Sequence, residues 1–119
     1  MKRMLLIAAV AGFAWSSTAA AQQVELGYPA DSLGMNAILS GDYATAERQI
    51  RASSVSKYDP ARALNLGLVF AKTGRTDKAA RQFQRVLSEE DIELVLADGR
   101  LLSSHDAARQ SLASLSPGR

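Results

Sequence analysis

Four pairs of residues in this chain repeat at a single offset. Gly34 and Gly67, Gly41 and Gly74, Ala46 and Ala79, and Ile50 and Phe83 each stand 33 residues apart. Four matches at one spacing are hard to reach by chance in 119 residues. The chemistry agrees with the spacing, because small residues recur where helices must approach closely and large apolar ones recur where a gap must be filled. A period of this length marks a supersecondary unit that cannot bury its apolar face alone and so stacks on its neighbour. The better-formed copy is residues 65–87, two short amphipathic helices around a tight turn at Thr73-Gly74-Arg75.

Each hairpin can be read from its own signals. Pro29-Ala30-Asp31 predicts a helix start, since proline tolerates the first turn and a nearby Asp accepts from free backbone N–H groups. Leu33, Ala37 and Ile38 then share a stripe, and Ser40-Gly41-Asp42 ends the helix where glycine takes positive φ. The next helix covers residues 43–53, with Tyr43, Ala46 and Ile50 inward and Glu47, Arg48 and Arg51 in water. Residues 53–59 are a linker, and Asp59-Pro60 restarts the chain as cap and first helical position. The third helix, residues 60–72, is apolar on more than one side and should be sandwiched. A fourth starts at Thr76 or Asp77 and turns Ala79, Ala80, Phe83, Val86 and Leu87 inward, with Lys78, Arg81, Gln82 and Arg85 in solvent.

These residues resemble the tetratricopeptide repeat (TPR) family, whose pattern sets Leu-Gly and then an aromatic in the first helix, and Ala with an aromatic four residues later in the second. Leu66-Gly67, Phe70, Ala79 and Phe83 match in order and spacing, and Leu33-Gly34, Ala46 and Ile50 are a weaker copy. Pro60 fits the proline expected near a repeat boundary. Ala63 stands where the pattern has Trp, Ala37 replaces the first aromatic, and the period is one shorter than the usual 34. The resemblance covers residues 30–90 and implies a curved stack whose concave side, lined by the first helix of each repeat, binds peptides or proteins. The groove residues it implies here are Met35, Ile38, Leu39, Leu64, Leu68 and Lys72, with Asn65 as a polar contact.

After Glu89-Glu90-Asp91 the periodicity changes. Ile92, Leu94 and Leu96 alternate with Glu93, Val95 and Ala97, and Asp98-Gly99 follows. Asp-Gly between alternating apolar residues signals a β-hairpin, because both central positions of a type I′ turn need positive φ. The reading is a hairpin over residues 92–102 with Leu96 facing Leu101. The alternative, the first helix of a third repeat, would place Gly99 mid-helix at a cost of about 1 kcal/mol. Ser103-Ser104-His105-Asp106 reads as a capping box for a helix over residues 105–114 with Ala108, Leu112 and Leu115 on one side. Residues 116–119 form a tail. The expected architecture is mainly α: two TPR-like hairpins, then a β-hairpin and a C-terminal capping helix, together residues 91–115, closing the exposed end of the stack.

The N-terminus reads as a secretory signal peptide, residues 1–21: Lys2 and Arg3, an apolar run over residues 4–15, then small residues with Ala19 and Ala21 at the A-x-A positions. Cleavage is expected after Ala21, leaving 22–29 as a lead-in. The rival is an uncleaved anchor, but a run of 12 residues falls short of the roughly 20 that cross a bilayer. The implied address is the periplasm. Removing Lys2 and Arg3 turns 14 Lys+Arg against 12 Asp+Glu into 12 against 12, so overall charge indicates neither nucleic acid nor stable membrane binding. The chain has no cysteine, which removes disulfides and lipid attachment at a cleavage-site cysteine.

A catalytic constellation does not emerge. His105 is the sole histidine, placed in the first turn of a helix with no G-x-S-x-G elbow or ligand spacing near it. Glu89-Glu90-Asp91 reads as solvated surface, with a carboxylate site the minority alternative. No cofactor, metal site or enzyme activity is expected. The expected function is a non-catalytic periplasmic adaptor that binds an envelope protein or peptide through an apolar groove, as an extended segment or amphipathic helix. Two alternatives stand beside it. In one, residues 22–28 or the C-terminal helix cover the groove; in the other, the repeats stack between chains as a homo-oligomer, since two repeats are fewer than the three a stack usually needs.

Overall fold

The computed structural model describes residues 4–10 and 28–115. The expected cleavage site, most of the lead-in and the 116–119 tail lie outside the described residues. Among those described are three strands, β1 (Met4–Val10), β2 (Glu93–Leu96) and β3 (Leu101–Ser103). The five helices are α1 (Met35–Leu39), α2 (Tyr43–Ala52), α3 (Pro60–Lys72), α4 (Thr76–Ser88) and α5 (Ser104–Leu115).

Local signals set the ends of α2, α3 and α4. Asp42 Oδ1 accepts from the Thr45 N–H at 3.1 Å and caps α2. Asp59 Oδ1 accepts from the N–H groups of Ala61 at 2.9 Å and Arg62 at 3.2 Å, with Pro60 opening α3. Gly41 and Gly74 both adopt φ 81°, and each turn is closed in the same way. The Asp42 N–H donates to Ala37 O and the Arg75 N–H to Phe70 O, both at 2.8 Å, which is the longer bond of a Schellman ending.

One expected start is corrected. No helix begins at Pro29: residues 30–33 form a turn, and α1 has only five residues. The reason is backbone conformation, since Asp31 sits at φ 62° and Gly34 at φ 67°, and left-handed residues interrupt a right-handed helix.

The hairpins pack in order. α2 lies on α3, α3 on α4, and α5 covers both α3 and α4. Flanked in this way, α3 buries Ala61, Ala63, Leu64, Asn65, Leu66, Gly67, Val69 and Phe70, on several sides of its axis. Ala46 and Ala79 are both fully buried, as are Ile50 and Phe83 at the next repeated position. Gly67 lies so close to α4 that a Cβ there would stand 2.5 Å from Phe83 Cε1.

β2 and β3 form the expected hairpin with a shifted register. Glu93 pairs with Ser103, Leu94 with Leu102 and Val95 with Leu101, so Leu96 does not face Leu101. Only Gly99 takes positive φ; Asp98 does not, and its Oδ1 instead accepts from the Arg100 N–H at 3.0 Å. The Gly99 N–H donates to Leu96 O at 2.9 Å and the Leu96 N–H to Arg100 O at 2.8 Å. This is a three-residue loop, in place of the two-residue turn that Asp-Gly suggests. The one-residue slip exchanges faces: Leu94 and Leu96 are buried while Leu101 is exposed. Within the segment read as the apolar run of an export signal, β1 lies parallel to β2 with irregular register at two points and also runs beside α3.

Candidate functional site

The residues expected to line a groove come from α1 (Met35, Ile38, Leu39) and α3 (Leu64, Asn65, Leu68, Lys72), and they divide by burial. Met35, Ile38, Leu64 and Asn65 are buried. Leu39 and Leu68 are half-buried against the core, and Lys72 is exposed. What reaches the surface is therefore two apolar side chains and a cation. Asn65 acts inward: its amide donates to Leu33 O at 3.1 Å, tying the turn before α1 to α3.

That turn has a second anchor. Tyr28 Oη donates to Asp59 Oδ2 at 2.7 Å, so one carboxylate both caps α3 and fixes the entry of the chain. Burial first, then the hydrogen bond to Asp59 and the charge of its carboxylate, push the Tyr28 phenol above its ordinary value. No local pattern marks Tyr28, since its partner is 31 residues away.

A polar clamp joins the two hairpins. Arg75, in the α3–α4 turn, donates from Nη2 to Glu47 Oε1 at 2.7 Å and from Nη1 to Oε2 at 3.1 Å, and Glu47 belongs to α2. Arg51 Nε donates to the same Oε2 at 2.9 Å. The Arg75 hydrogen bonds, with Arg51 assisting, outweigh desolvation and hold the Glu47 carboxyl down at about 2. The guanidinium of Arg75 also lies 4.8 Å from the centre of the buried Phe70 ring, with Arg51 at 5.7 Å and Lys78 at 5.8 Å. Arg48 and Arg51 are exposed as expected, whereas Glu47, expected in water, is half-buried by this bridge, which no local spacing signals.

The groups considered for chemistry have architectural partners. His105 Nε2–H donates to Glu89 O at 2.7 Å, which fixes the proton on that nitrogen. Asp91 Oδ1 accepts from the His105 N–H at 3.0 Å and the Ser104 hydroxyl at 3.3 Å. Desolvation pushes the Asp91 carboxyl up, but the His105 N–H, the Ser103 and Ser104 hydroxyls and the His105 charge together bring it below its ordinary value. Ser103 Oγ accepts from the Asp106 N–H at 2.9 Å and caps α5. The Asp106 carboxylate, expected to reach back to the cap, accepts from Arg109 Nη1 at 3.1 Å. Among the described residues no three of His, Asp and Glu gather as metal ligands. No helix among them is long and apolar enough to cross a membrane. No family model, no curated protein and no solved structure matches this chain.

Proposed function

We propose that this chain is an exported, non-catalytic scaffold of TPR type that binds a protein or peptide of the bacterial envelope through the face shared by α1 and α3. The observation that carries the reading is the duplicated hairpin turn. Gly41 and Gly74 share φ 81°, the 2.8 Å bonds that close the turns are equivalent, and Ala46 and Ala79 both vanish into the core behind them. Stacked hairpins of this kind present one surface to a ligand. Because Met35, Ile38, Leu64 and Asn65 are buried, the contact is led by Leu39, Leu68 and Lys72, a pattern that suits an apolar segment with an acidic flank. Cleavage after Ala21 in the periplasm would remove β1 and leave β2 as a sheet edge.

A photoreactive residue in place of Leu68, activated in intact cells, tests the proposal. The expected product is a crosslink to one envelope protein, diminished by Leu39→Ser. Absence of any crosslink overturns it. Crosslinks between copies of this chain alone would replace it with the self-assembly reading.

A further inference from the structure

The ends of three helices meet at one end of the stack. α4 runs back along α3 from the Thr73–Arg75 turn, so its last turn lies beside the first turn of α3, and the short 53–59 loop brings the last turn of α2 to the same place. Each of these turns carries an arginine: Arg51 on α2, Arg62 on α3 and Arg85 on α4. The loop adds Lys57 and the exposed Tyr58, whose ring centre lies 5.5 Å from Lys57 Nζ and 5.6 Å from the Arg85 guanidinium.

The concentration of charge exceeds what helix ends require. Arginines in the last turns of α2 and α4 complement the negative ends of those helices, but Arg62 stands in the first turn of α3, where the dipole disfavours a cation. Its own support is thin: Nη2 reaches Ile50 O at 3.3 Å. The Nε atoms of Arg62 and Arg85 are both buried without a partner among the described residues, an arrangement that calls for an explanation. Desolvation, then the charges of Arg51 and Arg85, lower the Arg62 pKa against the pull of Asp59. Asp59 is already accepting from Tyr28 and from two N–H groups of α3, and Arg51 shares Glu47 with Arg75. The imbalance extends along the chain. Residues 42–88 hold nine Lys and Arg against four Asp and Glu, whereas residues 89–119 hold three against six.

We infer that the Arg62 and Arg85 end of the stack, where the Arg51 charge adds to the field while its guanidinium stays on Glu47, is a binding site for an oxyanion, a carboxylate or a phosphate group, with Tyr58 and Lys57 at its rim. A planar or tetrahedral oxyanion meets the terminal nitrogens of these guanidinium groups, their Nε atoms being buried, and relieves the repulsion between them. The exposed ring offers a contact surface for whatever carries the anion. The site uses residues apart from the α1–α3 face and stands whether or not that face binds a partner.

The test is a nuclear magnetic resonance titration of the chain at low salt with inorganic phosphate and, separately, hexaglutamate, read at the Arg Nε–H and Tyr ring signals. Saturable shifts at Arg62, Arg85 and Tyr58 are expected, and sodium chloride at matched ionic strength should not reproduce them. Arg85→Gln and the exposed Lys57→Gln should each weaken binding by about tenfold for a lost charge-assisted contact. Arg81→Gln, exposed on the same helix, should leave it nearly unchanged. Saturation by phosphate alone supports the site and points to a phosphorylated ligand; saturation by hexaglutamate alone supports it and points to an acidic protein segment. Failure of both probes to saturate, or an Arg81→Gln effect equal to that of Arg85→Gln, overturns the inference.

Discussion

The two hairpins share a turn and differ on either side of it. In α1–α2 the residue after the turn glycine is Asp42, which caps its own helix through Thr45. In α3–α4 the equivalent residue is Arg75, which offers α4 no side-chain cap and instead grips Glu47 of the first hairpin. The first helices diverge further. α3 has 13 residues and α1 has five, because Gly34 takes φ 67° where Gly67 lies within a helix against Phe83. One repeated glycine thus breaks the backbone and the other admits a ring. A repeat of residue types can preserve a turn while the same letter, 33 positions on, does a different physical job.

The largest expected effect follows from what fills the second hairpin. Phe83→Ala should cost about 3–5 kcal/mol, because the ring is buried and leaves a cavity, whereas Ile50→Val at the equivalent position should cost about 1 kcal/mol. Denaturant titration of the variants measures both. A Phe83→Ala cost below that of Ile50→Val would mean that the second hairpin is not the centre of the core.

The glycines separate the hairpins more sharply. Helix propensity favours Gly67→Ala by about 1 kcal/mol, but a Cβ 2.5 Å from a ring atom must displace that ring, so a net loss of about 1–3 kcal/mol is expected. Adding Phe83→Leu should recover part of it, a coupling visible in a double-mutant cycle. Gly34→Ala should lose about 1–2 kcal/mol through positive φ. Its nearest neighbours are the O, Cα and Cβ of Ala46, and since the left-handed backbone carries the strain, adding Ala46→Gly should recover little of the loss. By contrast, Gly41→Ala and Gly74→Ala meet no atom within 4 Å and share φ 81°. Their losses should match each other at about 1 kcal/mol, and unequal values would show that the turns are not equivalent.

How far the chain was legible follows from the range of the forces involved. The bounds of α3 were readable because Asp59-Pro60 and Gly74 act within a few residues, and the inward faces of α2 and α4 followed from period. The start of α1 was not: Pro29-Ala30-Asp31 fits a helix start, but Asp31 takes φ 62° as Tyr28 and Leu33 are drawn to α3 by hydrogen bonds over 31 and 32 residues. Asp98-Gly99 announced the hairpin but misplaced its register, because a carboxylate bond to Arg100 favours a different loop. Candidate site residues on α1 and α3 were assigned by repeat position, which does not register how much of α1 the turn before it replaces. The Glu47–Arg75 bridge spans 28 residues, beyond the reach of any helical pairing rule.

That bridge gives the smallest and most selective test of how the hairpins are joined. Glu47→Gln should cost about 1 kcal/mol at neutral pH, at the upper end for a pair that solvent still reaches, and Arg75→Gln should add little to it if the two act as one contact. The pH dependence is the sharper readout. Folding lowers the Glu47 carboxyl from 4.5 to about 2, so its contribution is fully present above pH 4.5 and is lost as pH falls towards 2. Asp42, Asp91 and Asp98 also lie below their ordinary values, so total stability falls in acid for several reasons at once. The difference between parent and Glu47→Gln isolates one of them. It should be constant above pH 5 and shrink steadily across the window below, and a difference that stays constant down to pH 2 would show that the Glu47 carboxylate does not carry the join between the hairpins.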